Sequence, residues 1–145
     1  LGPGGRERIA ARVAASEARD SGQIRVCIEA GLPMSYLRRG AGPRERAVAM
    51  FGKLRVWDTE HNNGVLIYLL LAEHDVEIVA DRGIHARTGA AAWERICAAM
   101  EAEFRRGRFE AGAVTGVEAV SRELARHFPK RGPNPNELPD APVVI

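Results

Sequence analysis

The sequence predicts an α/β fold, a three-layer α/β/α sandwich with a mixed central sheet and helices on both faces. Three observations lead there. Apolar stripes at helical spacing alternate along the chain with short strand-like segments. The run Val65-Leu66-Ile67-Tyr68-Leu69-Leu70-Leu71 is unbroken and apolar, as in a strand covered on both faces. The first two strands are separated by a helical stripe, which requires a parallel, right-handed crossover. With 145 residues, 46% of them hydrophobic, the chain has enough apolar material for one core and too little length for two domains.

Residues 6 to 21 carry Ile9 and Val13 beside Ala10, Ala14 and Ala18, a narrow stripe that stops at Gly22 and predicts the first helix. Ile24, Val26 and Ile28 then alternate with Arg25, Cys27 and Glu29, the period of a strand. Gly31 to Gly42 reads as a loop. Pro43 suits a first helical turn, and Ala47, Val48, Phe51 and Leu54 form the stripe of the next helix. A polar stretch from Val56 to Asn63 leads into the apolar strand. Glu73-His74-Asp75 reads as a turn, with Val76 to Ala80 as the returning strand of a hairpin. Two helices follow Asp81-Arg82-Gly83. Trp93, Ile96, Cys97, Met100 and Phe104 mark the first, and Val114, Val117, Val120, Leu124 and Phe128 the second. The domain thus spans residues 1–128. Residues 129–145 hold five of the eight prolines and read as an extended tail.

Lys and Arg number 21 against 19 Asp and Glu, a formal charge of +2 with a pI near 8.8. Acids and bases alternate, so the clustered cations of a nucleic-acid binder are not expected. Arg105, Arg106 and Arg108 are instead read as a basic helix C-terminus that complements the macrodipole. Cys27 and Cys97 each lie in an apolar segment and read as reduced core thiols. The longest apolar run, Val65 to Ala72, is far short of the roughly 20 residues of a membrane span. The first residues show no basic-then-apolar leader. The expectation is a soluble chain, in the cytoplasm or at a membrane surface.

Pairing across Glu73 to Asp75 is expected to bring Asn63 near His85. One sheet edge then gathers Asp58, Glu60, His61, Asn62 and Asn63 with Asp81, Arg82 and His85, and this edge is the candidate site. Asp58, Asn63 and Asp81 are the expected ligands of a hard cation, calcium before others, because oxygen donors of this kind suit it. The plainer use of Asp58, Asn62 and Asn63 is to end a loop before a strand, with Gly64 permitting the turn. His61 and His85 suit a transition metal. Arg82 suits a phosphate or carboxylate, or a surface ion pair with Asp81. Trp57 caps the core edge or floors a pocket, with Arg55 or Arg46 able to cover it. No Gly-rich phosphate loop, Gly-x-Ser-x-Gly elbow or His-Glu-x-x-His helix occurs, and no catalytic residue is assigned.

Asn63-Gly64-Val65-Leu66-Ile67, the hairpin, Asp81-Arg82-Gly83 and the two late helices together resemble the TPM domain family, from about residue 6 to Phe128. The segments Trp57 to Gly64 and Asn136-Glu137-Leu138-Pro139-Asp140 resemble an uncharacterised bacterial branch of it. The resemblance implies the same three-layer sandwich. It also implies a protein-interaction or membrane-protein quality-control role with an optional calcium ion, and an unknown protein partner. The alternative that it implies is a weak acid phosphatase, with Arg82 orienting phosphate, Asp81 or a metal activating water and His85 as acid. The family more often has Gly-Tyr-Gly-Leu-Glu where this chain has Asp81-Arg82-Gly83-Ile84-His85, so His85 stands at an acidic position.

Overall fold

The apolar run becomes the strand on which both layers pack. In a computed structural model, which describes residues 4–17, 23–59, 63–127 and 140–145, it forms β2 (Gly64–Leu70), every residue of which is buried. Its odd residues Val65, Ile67 and Leu69 join one apolar cluster, and Leu66, Tyr68 and Leu70 join another on the opposite face. This two-sided burial is why the sequence does not alternate there.

Beside β2 runs β1 (Gln23–Glu29), parallel from Gln23↔Gly64 to Glu29↔Leu70. On the other side β3 (Asp75–Ala80) runs antiparallel, from Val65↔Ala80 to Leu70↔Asp75. A fourth strand, β4 (Val143–Val144), lies parallel to β1 beside Cys27 and Ile28, giving the order β3-β2-β1-β4. The first face is covered by α1 (Gly5–Glu17), α4 (Arg82–Thr88), α5 (Ala90–Arg105) and α6 (Phe109–His127), whose Ile9, Ile84, Trp93, Met100, Phe104 and Leu124 enter its core. The second is covered by α3 (Pro43–Lys53) through Ala47 and Met50. The three-layer α/β/α arrangement with a mixed sheet is therefore as expected. Gly116 lets α6 approach α5, since a Cβ there would lie 2.3 Å from the Met100 sulfur.

Five local expectations differ, the first being that three helices and not two follow Asp81, because α4 starts at Arg82. Gly31 to Gly42 is not all loop, for α2 (Met34–Arg39) stands there, closed by Gly40 at φ 68°. It buries no residue, so it leaves no apolar period to read. In α3, Val48 is exposed while Arg46 is buried, because Arg46 is held by an acid on β1. The hairpin turn falls one to two residues earlier than expected, which moves each cross-strand partner by three residues. Leu71–Glu73 form a 3-10 turn and His74 takes a left-handed φ of 50°, so Asp75 already belongs to β3. Asp81, not a residue further on, therefore faces Gly64. Finally, the end of the proline-rich tail joins the sheet: the Ile145 N–H donates to the Ile28 carbonyl at 2.8 Å, and Arg25 donates to the Ala141 carbonyl at 3.0 Å. Phe128 and residues 129–139 lie outside the described residues.

Candidate functional site

The end of the sheet where β2 begins and β3 stops is organised around one glycine. A Cβ on Gly64 would lie 2.0 Å from the Val56 carbonyl oxygen, so only glycine lets the chain after α3 pass against the strand. Asp81 grips the same residue twice. Its N–H donates to the Gly64 carbonyl at 3.0 Å, and its Oδ2 accepts from the Gly64 N–H at 3.0 Å. Asp81 thus extends the β2–β3 ladder by one pair, using its side chain where a carbonyl would stand. It also begins α4, accepting from the His85 N–H at 2.9 Å. Burial raises the Asp81 carboxyl above its ordinary range, against the lowering by the Gly64 N–H.

Asn63 is 5% exposed at the same end; its N–H donates to Thr59 Oγ1 at 3.0 Å and its carbonyl accepts from Gln23 at 2.9 Å. Asn63 and Asp81 therefore both lie at Gly64, where the pairing expected from the sequence puts Asn63 beside His85. Asp58 is engaged elsewhere, its Oδ2 lying 2.7 Å from Arg55 on an exposed stretch. Trp57, 48% exposed, donates to the Gly52 carbonyl at 3.1 Å, and the Arg55 guanidinium lies 5.6 Å from its ring centroid. Arg55 rather than Arg46 covers it. Arg82 is exposed on the first turn of α4. His85 is one turn further and lines a different cavity, beside β3, because of the shifted hairpin register. Glu60, His61 and Asn62 lie outside the described residues. Among the described residues no three His, Cys, Asp or Glu side chains gather closely enough to hold a metal. The donors that fit a hard cation at this end are the oxygens of Asp81 and Asn63.

A second constellation was not visible in the sequence. On the α3 face, Arg46 donates from Nε to Glu29 Oε1 and from Nη2 to Oε2, both at 2.9 Å, and the Tyr68 hydroxyl donates to Oε1 at 2.6 Å. The Glu29 and Arg46 side chains are 5% and 9% exposed. Burial works to raise the Glu29 carboxyl, yet the hydrogen bonds from Arg46 and Tyr68 outweigh it and hold the group below its ordinary value. The Arg46 guanidinium also lies 5.3 Å from the centre of the Tyr36 ring, which ties α2 to α3. A polar-tipped Tyr68 inside an apolar run is the one sequence signal that a polar partner waits on this face. Burial pushes the Cys27 thiol up to about 11 and the Cys97 thiol up to about 12, so neither is a ready nucleophile.

Comparison with known proteins agrees with this architecture. No curated protein matches the chain. Among solved structures, the NMR structure of the BA42 protein from the psychrophilic bacterium Bizionia argentinensis superposes with a TM-score of 0.86 at 28% identity, over 99% of this chain and 94% of that one. The N-terminal domain of a protein from P. gingivalis superposes with a TM-score of 0.70 at 21% identity, over 88% of this chain and 78% of that one, a likeness of fold. A family model described as the TPM domain matches residues 1–123. With most of its length inside that match, the chain belongs to the TPM domain family.

Proposed function

We propose that this TPM domain works by protein contact, as an interaction or quality-control module for a membrane-protein client, and not by catalysis. The observation that supports this reading is α2. It has six residues and buries none of them, yet it presents Met34 at 61% and Leu37 at 55% exposure. Removing such side chains from water yields roughly 1.5–3 kcal/mol each, and exposed Met34 and Leu37 on one short helix with Arg38 and Arg39 have the composition of a contact surface. Asp81 is committed to Gly64 and His85 opens onto another cavity, so the phosphatase assignment of these two residues gains no support.

The reading includes a divalent cation, calcium first, with Asp81 and Asn63 as ligands. A cation there would supply the counter-charge that the desolvated Asp81 carboxyl lacks. Asp58 joins only by giving up Arg55.

The test compares wild type with Met34→Glu/Leu37→Glu, both checked for folding by circular dichroism, as baits on detergent-solubilised membranes. A membrane protein retained by wild type and reduced about tenfold by the variant is the expected result. Equal recovery by both would remove α2 from the function.

A further inference from the structure

Among the described residues β3 is an edge strand, and its outer side is neither bare nor paired with another strand. The Gly64–Asp81 bonds set the phase of the antiparallel ladder, so Val76, Ile78 and Ala80 turn their peptide groups away from β2. Two of these groups are met by side chains. Glu101 Oε2 on α5 accepts from the Val76 N–H at 3.0 Å, and Arg44 Nη1 on α3 donates to the Ile78 carbonyl at 2.7 Å. The carboxylate stands where a neighbouring strand would put a carbonyl, and the guanidinium where it would put an N–H.

A cavity of about 400 Å³ lies along this edge, between α3 on one face of the sheet and α4 and α5 on the other. Glu77, Glu94 and Glu101 line it against Arg44 and His85. Arg44 is exposed and 3.7 Å from Glu77. The negative excess is felt by the groups nearby. Burial and then Glu77 push the Asp75 carboxyl up to about 7, and burial, Glu77, Glu101 and Asp75 push the Cys97 thiol up to about 12. Trp93 forms part of the wall, 5% exposed, and its indole N–H has no acceptor among the described residues.

We propose that the β3 edge and its cavity dock an extended, basic segment of a partner protein, which adds as a strand beside β3 and places a Lys or Arg side chain among Glu77, Glu94 and Glu101. Main-chain bonds to Val76 and Ile78 replace those from Glu101 and Arg44, and the freed carboxylate then pairs with the incoming cation. Charge complementarity selects the occupant, since an acidic strand, or the same edge of a second copy of this chain, would meet like charge. The inference rests on the protein-contact reading and adds to it a surface distinct from α2. The competing use of the same two side chains is protection of the edge against any strand.

The two uses separate by panning the whole 145-residue protein with a library of capped hexapeptides carrying one fixed Lys or Arg, beside the same library carrying a fixed Glu. The expected result is enrichment of basic peptides. The best of them, titrated into isotope-labelled protein, should shift the amide signals of Val76, Ile78 and Ala80 and slow their hydrogen exchange. Glu77→Gln/Glu101→Gln, which keeps an acceptor for the Val76 N–H, should weaken binding about tenfold or more. No preference for basic over acidic peptides, or shifts that leave β3 untouched, would overturn the proposal in favour of edge protection. If α2-dependent capture persists in that case, the β3 site alone is removed; if both fail, the protein-contact reading goes with it.

Discussion

Arg46→Met is the substitution on which the reasoning about the α3 face can be tested most sharply. Methionine keeps a flexible apolar stem of similar reach and removes the charge. The buried Glu29 carboxylate then loses both arginine bonds and keeps only the Tyr68 hydroxyl at 2.6 Å. Two hydrogen bonds to a charged group at about 1.5–3 kcal/mol each, less some packing recovered by the methionine, bring the loss to about 3–5 kcal/mol. That is also about what stripping one partner from a buried ion pair costs. In a domain whose whole stability is about 5–15 kcal/mol the variant still folds at 25 °C, but close to its limit. With an m-value of about 2 kcal/mol/M, the urea midpoint should fall by about 2 M.

The pH dependence supplies the sign. In the native protein Glu29 is held below its ordinary value, so its contribution is present above the unfolded carboxylate range and is lost as pH falls through the depressed value. In the variant, burial is opposed only by the Tyr68 hydrogen bond and the weaker pull of Lys53, and protonation becomes a relief. The stability gap between wild type and Arg46→Met, measured by urea titration with circular dichroism, should therefore narrow from pH 7 toward pH 3. Glu29→Gln in the Arg46→Met background should recover part of the loss at pH 7, because it leaves no buried charge behind. A loss under about 1 kcal/mol at pH 7, or a gap unchanged by acid, would refute the account of this cluster.

Three further outcomes are expected. Gly64→Ala places a methyl against the Val56 carbonyl, so the strand or the chain before it must shift, and the melting midpoint should drop by roughly 10 °C or more; an unchanged midpoint would mean that this contact is slack. Asp81→Asn keeps an acceptor for the Gly64 N–H and should hold the metal-free melting point, whereas Asp81→Ala should lower it by a few degrees, about 1 kcal/mol. Both should abolish a calcium-induced rise, and a rise that survives in Asp81→Asn would remove Asp81 from the cation reading. At pH 8 the thiols of Cys27 and Cys97 should label slowly in the native protein and quickly in denaturing urea; fast native labelling would contradict the burial of Cys27 and the acidic neighbours that hold the half-buried Cys97 protonated.

The meeting of the chain before β2 with the chain after β3 was legible because it follows from strand pairing. Once a hairpin joins Val65–Leu71 to Val76–Ala80, residues just before the first strand and just after the second must meet, and Asn63 and Asp81 do so. The offset of the register was not legible. A 3-10 turn at Leu71–Glu73 with a left-handed His74 has no compositional signature that separates it from a turn at Glu73–Asp75, and the resulting three-residue offset in pairing moved His85 from the Asp81 end to the β3-edge cavity. Arg46 and Glu29 each looked ordinary within their own element, an arginine on a helix and an acid ending a strand. Their pairing is a contact between positions 17 residues apart, which no local period encodes.

The sequence by itself determined the elements that bury apolar faces, their order, and hence the three-layer sandwich, because burial imposes a period on every segment that touches the core. Only the tertiary structure decided what has no such period. It stood α2 on the surface without a buried residue, drew Val143–Val144 back beside β1, and committed Asp81 to Gly64 and Arg46 to Glu29. These choices depend on which backbone groups and charges remain unpaired once the layers have packed, and that is a property of the assembled sheet and not of any one segment of chain.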